Sequence, residues 1–532
     1  MDNRNLYFKQ NVIAEPVLNQ WYAWPHLIPP ASASMYIAYS HLKIMRSFVA
    51  SPQVHISALK NPAMLGGPFI NYDASKAGEI KALLDKTARE QAHMLELAEA
   101  IKTLDERLTN EADGYSLESH YQNVPEALKG YVELVYDLHN NPSIRFIEAL
   151  LYRSKYYDPS LQKFVLFEAE SDGRSFVFST PRLKSKGHLF LDTPFDRAEL
   201  DELFKMKQSP QPFGRIKELL GVPGEDEALF STFFTEKPPA QAPPYDDKAV
   251  RVRYLGHACL LIEAPGVSIL CDPVISYQSG TGIPRYTYAD LPETIDYVLV
   301  THTHQDHIMF ETLLQLRHKI KTLVVPRSAG GSLADPSLKL LLKQVGFPDV
   351  REIDELETIE VNRGLITGVP FLGEHADVNI RAKMAYHISI GGTSLLIAAD
   401  SNNLEPKLYE HLREFLGDVN VVFLGMECDG APMSWLYGPL LTTSLSRKND
   451  QSRRFDASNY ERGISLIDLL NPKQVYVYAM GQEPWCTFLT SVHYTDESRP
   501  IVDSNRLVND CVKRGIIAER LYGRKELFFG HG

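Results

Sequence analysis

The longest regular pattern in the first half of the chain runs from Ser75 to about Asn110. There Ile80, Leu83, Leu84, Met94, Leu97, Ala98, Ile101, Leu104 and Leu108 recur at three- and four-residue spacings, which predicts one long helix with an apolar stripe. A second helix is expected after Pro125, with Leu128, Val132, Val135 and Leu138 on one face. The period then drops to two. "KFVLFEAE" and "SFVFS", separated by "SDGR", read as a hairpin, and "HLFLD" adds a third strand. The result is an α+β region without a chemical motif, whose long apolar helix suits a core or a dimer interface.

"TEKPPAQAPPYDD" (Thr235 to Asp247) has four prolines and no apolar periodicity. It reads as a stiff linker dividing an N-terminal domain, 1–234, from a C-terminal one, 248–532. Beyond it strands and helices alternate. "VRVRYLGHACLLIEAPGVSILCDP" gives two strands meeting at "EAPG". "YVLVT", "TLVVP", "GLITGVPFL", "AYHISIGGTSLLIAAD", "VNVVFLG" and "QVYVYAM" supply more. Helices are expected at "FETLLQLRHKI", "PSLKLLLKQVG", "EPKLYEHLREFL" and "ERGISLIDLL". Such alternation predicts α/β sheets covered by outer helices.

Composition narrows the setting. A chain of 532 residues is too long for one ordinary core. A net charge of −12 argues against nucleic acid or an anionic membrane as partner. No run approaches the roughly 20 apolar residues of a membrane span, and the first residues lack the pattern of a secretory signal. Five cysteines without a C-x-x-C pair fit reduced thiols in a cytoplasmic protein.

Candidate chemistry concentrates in "VLVTHTHQDHIMF", where His302, His304, Asp306 and His307 form H-x-H-x-D-H directly after an apolar run. A lone histidine is usually structural, but four donors in six residues at a strand end point to metal binding. In an extended segment His302 and His304 face one side, and the following turn swings Asp306 and His307 round. That arrangement suits two ions, one on each pair.

This motif, preceded by "GHACLLIE" and "CDP", resembles the metallo-β-lactamase superfamily over about residues 250–525. The resemblance implies a four-layer αβ/βα sandwich with metals at one edge between two sheets. It makes Asp272 the acid that orients a ligand histidine, although Asp272 also reads as a simple turn aspartate before Pro273. Asp400, ending "SLLIAAD", fits the bridging aspartate. The third motif falls at "FLGEHAD", where Glu374 and His375 are adjacent, and where a final histidine should follow "QVYVYAM" stands Met480. His493 lies too far along. Three imidazoles with Asp306, Asp400 and Glu374 make a set richer in hard oxygen donors than zinc hydrolases prefer, and one suited to non-haem iron. Glu427, in "LGMECDG", ends the next strand at the same edge; it reads equally as a catalytic acid or a salt-bridged strand end.

The pattern is similar, over the full chain, to a narrower family: the di-iron β-hydroxylases of non-ribosomal peptide assembly lines. That resemblance implies His302, His304, Asp306, His307, Glu374 and Asp400 as metal ligands and two iron ions (Fe2+/Fe3+) with O2 as co-substrate. Glu374 and, from its place at the strand end, Glu427 are the candidate catalytic residues. The resemblance also implies an external electron donor, an aminoacyl-phosphopantetheine carrier domain as partner, and a homodimer. Aromatic and aliphatic amino acids both fall in the family's range, leucine of a depsipeptide pathway among them. The alternative is a zinc or manganese hydrolase of the same fold, which would need His375 as ligand. The loop "GAPMSWLYGP" is a candidate wall over the metals, or an apolar loop packed on the N-terminal domain.

Overall fold

The computed structural model describes residues 4–240, 243–280 and 282–530. Its C-terminal half holds two seven-stranded sheets. One runs in the order Val350–Ile353, Ile320–Pro326, Ile295–Leu299, Val267–Cys271, Cys259–Ala264, Val250–Gly256 and Lys525–Phe529. The other runs Thr358–Val361, Gly364–Val369, Ala385–Ile390, Thr393–Ile397, Val421–Gly425, Gln474–Tyr478 and Ile517–Arg520. In the inner strands such as Cys259–Ala264, Val267–Cys271 and Val421–Gly425 both faces are buried, so the runs are apolar rather than alternating.

Alternate residues still sort by face. Leu260, Ile262 and Ile269 meet Ile366, Ile388 and Phe423 between the sheets. Leu261 and Leu270 point outwards, to Leu313 and Leu341 of helices Phe310–Leu316 and Leu338–Gln344. On the far side Leu396, Val422 and Val475 pack on helices Pro406–Leu416, Tyr460–Leu470 and Arg499–Lys513. Helix, sheet, sheet, helix is the expected αβ/βα sandwich. The segment "VRVRYLGHACLLIEA", expected as one strand, is two, because the chain folds back at Gly256–Ala258.

In the N-terminal half a four-stranded antiparallel sheet runs Trp21–Tyr22, Val12–Leu18, Gln162–Glu168 and Leu189–Leu191. "SFVFS" is not a strand, and the expected hairpin partner of Gln162–Glu168 is instead Val12–Leu18. The long helix is broken at Gln91 into Ala77–Glu90 and Ala92–Glu111. The helix expected after Pro125 is a short 3-10 turn followed by a hairpin, Val132–Tyr136 with Pro142–Phe146. The two halves share apolar clusters, in one of which Phe8, Phe164 and Phe204 join Leu261, Leu270 and Val298.

Candidate metal centre

Strand ends of both sheets converge on one edge. His257 follows Val250–Gly256, Asp272 follows Val267–Cys271, and His302 to His307 follow Ile295–Leu299. From the second sheet come Asp400 after Thr393–Ile397 and Glu427 after Val421–Gly425, with Glu374 in the loop beyond Gly364–Val369. Backbone strain gathers here. Seven of the fourteen described non-glycine residues with positive φ are His257, Asp272, Glu374, Ala376, Asp377, Ala399 and Ala479, conformations that persist only where surrounding structure enforces them. Gly425 is required by close approach, since a Cβ there would sit 2.6 Å from Asp400 Oδ1.

The donor atoms fall into two groups joined through Asp400. In the first, His304 Nδ1 lies 2.8 Å from Glu374 Oε1, and His302 Nε2 lies 3.8 Å from Glu374 Oε2 and 3.9 Å from Asp400 Oδ2. In the second, His307 Nε2 is 3.0 Å from Asp400 Oδ2, and His257 Nε2 is 3.1 Å from Asp306 Oδ2. His302, His307 and Asp400 also form a triple of mutually close donors. Thus the six residues expected as ligands are brought together, and His257, which the sequence reading passed over, joins them.

Asp272 is buried against His307, its Oδ2 2.8 Å from Nδ1. It also accepts hydrogen bonds from the Thr301 amide at 2.7 Å and the Thr301 hydroxyl at 2.6 Å. A proton held on His307 Nδ1 leaves Nε2 to face Asp400, the tautomer a metal requires. Burial works against charging His307, but Asp400 and Asp272 outweigh it and raise its pKa. Burial likewise opposes ionisation of Glu374 and Asp306. The imidazoles of His304, His375 and His302 hold Glu374 below the ordinary carboxylate range, and the hydrogen bond and charge of His257 do the same for Asp306. Glu427 is different: burial, reinforced by Asp400, Asp306 and Glu374, pushes its carboxyl well up.

A cavity of ≈ 650 Å³ opens beside these groups, lined by His304, Asp306, Glu374, Asp400 and Glu427. The wall segment 431–436 contributes Ala431, Pro432, Trp435 and Leu436 to it, while Met433 and Tyr437 are buried against the N-terminal half. Beside it Ala63 to Phe69, from the N-terminal half, also line the cavity, a stretch without a chemical motif. His493 and Tyr494 also line the cavity, although His493 belongs to none of the donor groups. Met480 is buried among Val369, Leu424 and Val477, in the apolar layer under the outer helices. The amide of Gly481, next to it, donates to His257 Nδ1 at 3.1 Å.

The donor set fits a di-metal group. Buried donor and acceptor atoms remain here without hydrogen-bond partners, Asp400 Oδ1 and His375 Nε2 among them, an unfavourable arrangement for a protein-only core. Three or four imidazoles with three carboxylates match the mixed nitrogen–oxygen preference of non-haem iron.

Residues 7–238 match a family described as the diiron non-heme beta-hydroxylase N-terminal domain, and residues 251–431 match the beta-lactamase superfamily domain. The chain is 40% identical over 527 residues to the 4-amino-L-phenylalanyl-[CmlP-peptidyl-carrier-protein] 3-hydroxylase of Streptomyces venezuelae, covering 98% of this chain and 99% of the relative. Its structure is similar to the crystal structure of CmlA, a diiron beta-hydroxylase from that organism, with TM-score 0.92, 38% identity and 99% of each chain covered. A CmlA E377D mutant matches at TM-score 0.90 and 37% identity, over 98% of this chain and 99% of that one. The chain belongs to the diiron β-hydroxylases built on a metallo-β-lactamase fold. It is therefore an oxygenase of a family that carries two iron ions.

Proposed function

We propose that this enzyme hydroxylates the β-carbon of an amino acid tethered as a thioester to the phosphopantetheine arm of a non-ribosomal peptide synthetase carrier domain. The observation that carries it is the pair of donor groups joined at Asp400, with buried atoms left unmatched, in a chain that aligns end to end with an enzyme acting on a carrier-bound amino acid. His302, His304 and Glu374 would hold one iron and Asp306 and His307 the other, with Asp400 between them. The irons supply activation of O2, with electrons from an external donor.

The remaining residues prepare the site. Asp272 and Thr301 fix the His307 ring, and His257 fixes Asp306. Glu427 places a carboxyl group inside the cavity, beside the donors. Phe455, Trp435 and Leu436 present the apolar wall that shields a C–H bond from water. The zinc-hydrolase reading loses its support at Met480, whose strand brings no nitrogen to the donors.

The experiment compares a carrier-bound aminoacyl thioester with the free amino acid, under identical reductant and O2, in protein loaded with two irons per chain. The thioester should gain one oxygen at the β-carbon and the free acid should react far more slowly, because arm and carrier binding orient the reacting carbon. Equal rates would refute the carrier requirement, and brisk thioester hydrolysis with zinc alone would restore the hydrolase.

A further inference from the structure

Beside the metal cavity lies a larger groove of ≈ 910 Å³, and the two share a wall formed by Gly66 to Phe69 with Pro432, Trp435 and Leu436. One hydrogen bond closes that wall, from Trp435 Nε1 to the Gly66 carbonyl at 2.9 Å. The groove is lined by aromatic faces, Trp24, Tyr36 and Phe178 among them. A π-helical turn, Ile37–His41, brings Tyr39 and Ser40 to its side, an irregularity frequent at functional sites.

The charges at the two mouths differ. Lys43 and Arg447 line the groove and are exposed; Arg46, one turn along helix Leu42–Ala50, and Lys448 extend the same two flanks. Among the described residues none of these four cations has an ion-pair partner, whereas Lys76, Lys81 and Lys129 of the same half are paired with carboxylates. The metal cavity's own mouth carries Asp429, which lies 3.4 Å from that cavity's one arginine, Arg454. In a chain of net charge −12, an anionic group is drawn to the groove's unpaired cations rather than to a mouth whose arginine is already paired.

We propose that the groove receives the phosphodiester end of the carrier's arm, with Lys43 and Arg447 on the phosphate, the pantetheine chain against the aromatic lining, and the thioester reaching the metal cavity past Trp435. This rests on the function proposed above, and it places the docking face on helix Leu42–Ala50 and residues 442–448, away from the proline-rich linker.

The test uses the full-length iron-loaded enzyme and two soluble probes, 4′-phosphopantetheine and pantetheine, which differ only in the phosphate. Wild type should bind the phosphorylated probe about five- to tenfold more tightly, as two surface charge contacts of ordinary strength give. The Lys43→Glu/Arg447→Glu variant should lose that preference, while Lys129→Glu keeps it. With carrier-bound thioester the same double variant should raise KM far more than it lowers kcat, and added salt should bring wild type towards the variant. Thr443→Trp, which fills the groove mouth without altering charge, should raise KM as well. An unchanged phosphate preference in the double variant overturns the inference, as does an unchanged KM in an enzyme that hydroxylates the thioester. Failure of wild type to hydroxylate any carrier thioester strikes instead at the function, and the probe titration reads the groove separately.

Discussion

Two buried clusters of charge in this protein look alike in composition and behave oppositely. One joins the halves: Glu15, Arg174 and Arg182 from the N-terminal half meet Glu311 of helix Phe310–Leu316. Arg174 binds Glu311 through two nitrogens at 3.0 and 2.6 Å, and Arg182 binds Glu15 at 2.6 and 3.2 Å. Tyr22 and Tyr277 donate to Glu311 at 3.1 and 2.6 Å. Every carboxylate oxygen there has a donor. The metal centre buries as many ionisable groups, yet leaves atoms such as Asp400 Oδ1 and His375 Nε2 unmatched. The first cluster is complete as protein. The second is complete only with cations added, and that difference separates a structural charge cluster from a functional one.

Breaking each cluster should therefore give opposite phenotypes, and the largest is on activity. Asp400→Ala removes the carboxylate shared by both donor groups. Hydroxylation should fall to background and iron content, measured by elemental analysis, below two per chain, while metal-free stability changes by no more than about 1 kcal/mol. In the metal-free protein burial and the nearby Glu374 disfavour the Asp400 carboxylate, which offsets the loss of its contact with His307. A large loss of metal-free stability would show that the cluster is held by its own contacts.

Glu15→Ala is the counterpart. It leaves Arg174 and Arg182 buried together without their shared carboxylate, and urea unfolding should show a loss of about 3–5 kcal/mol. Burial opposes ionisation of Glu15, but Arg182 and Arg174 outweigh it and hold the carboxyl at about 2. That lies below the unfolded value, so its stabilisation is complete above about pH 4.3 and is lost as pH falls towards 2. Iron bound per folded chain should not change.

A finer cut distinguishes holding a metal from orienting its ligand. Asp272→Asn keeps size and one acceptor but removes the charge facing His307 Nδ1, and iron affinity in a chelator competition should weaken about 10–100-fold. Wild-type affinity in the variant would make Asp272 the simple turn residue that its place before Pro273 also allowed.

The contrast also explains what was legible in the sequence. H-x-H-x-D-H was readable because its four donors sit in six residues at a strand end, where local geometry alone brings them together. Glu374 and Asp400 needed a family pattern, since each lies on a different strand of the other sheet. His257 was missed because a single histidine after a glycine carries no local signal; only the fold sets it against Asp306. The ion network was invisible for the same reason, its partners standing 137 to 167 residues apart in sequence. The helix expected after Pro125 failed on an ambiguity of period. Val132 and Leu134 alternate inwards in a strand, and Leu138, taken as part of an apolar face, lies fully exposed in the "DLHNN" turn. Asp137 in that turn accepts from the His139 and Asn141 amides, which fixes a hairpin over a helix.

Lys207 offers the smallest effect and a case between the two clusters. Its ammonium is buried with hydrogen bonds to the Lys9 and Val12 carbonyls, both at 3.3 Å, and faces the rings of Phe8, Tyr288 and Tyr277 at 5.0, 5.0 and 5.5 Å. No carboxylate touches it among the described residues. Burial lowers its pKa to about 7, with only partial compensation from Glu311. The unfolded chain, with a lysine near 10.4, then holds a proton that the folded chain has shed between those values, so stability rises with pH across that window. Lys207→Met removes the dependence. The variant should be the more stable at pH 7, and wild type should close the gap by about 2 kcal/mol on going to pH 9. A gap that stays constant would mean that the carbonyls and the three rings keep the ammonium charged throughout. Lys207 would then belong with the satisfied cluster at the interface, whose charges need nothing from outside the protein.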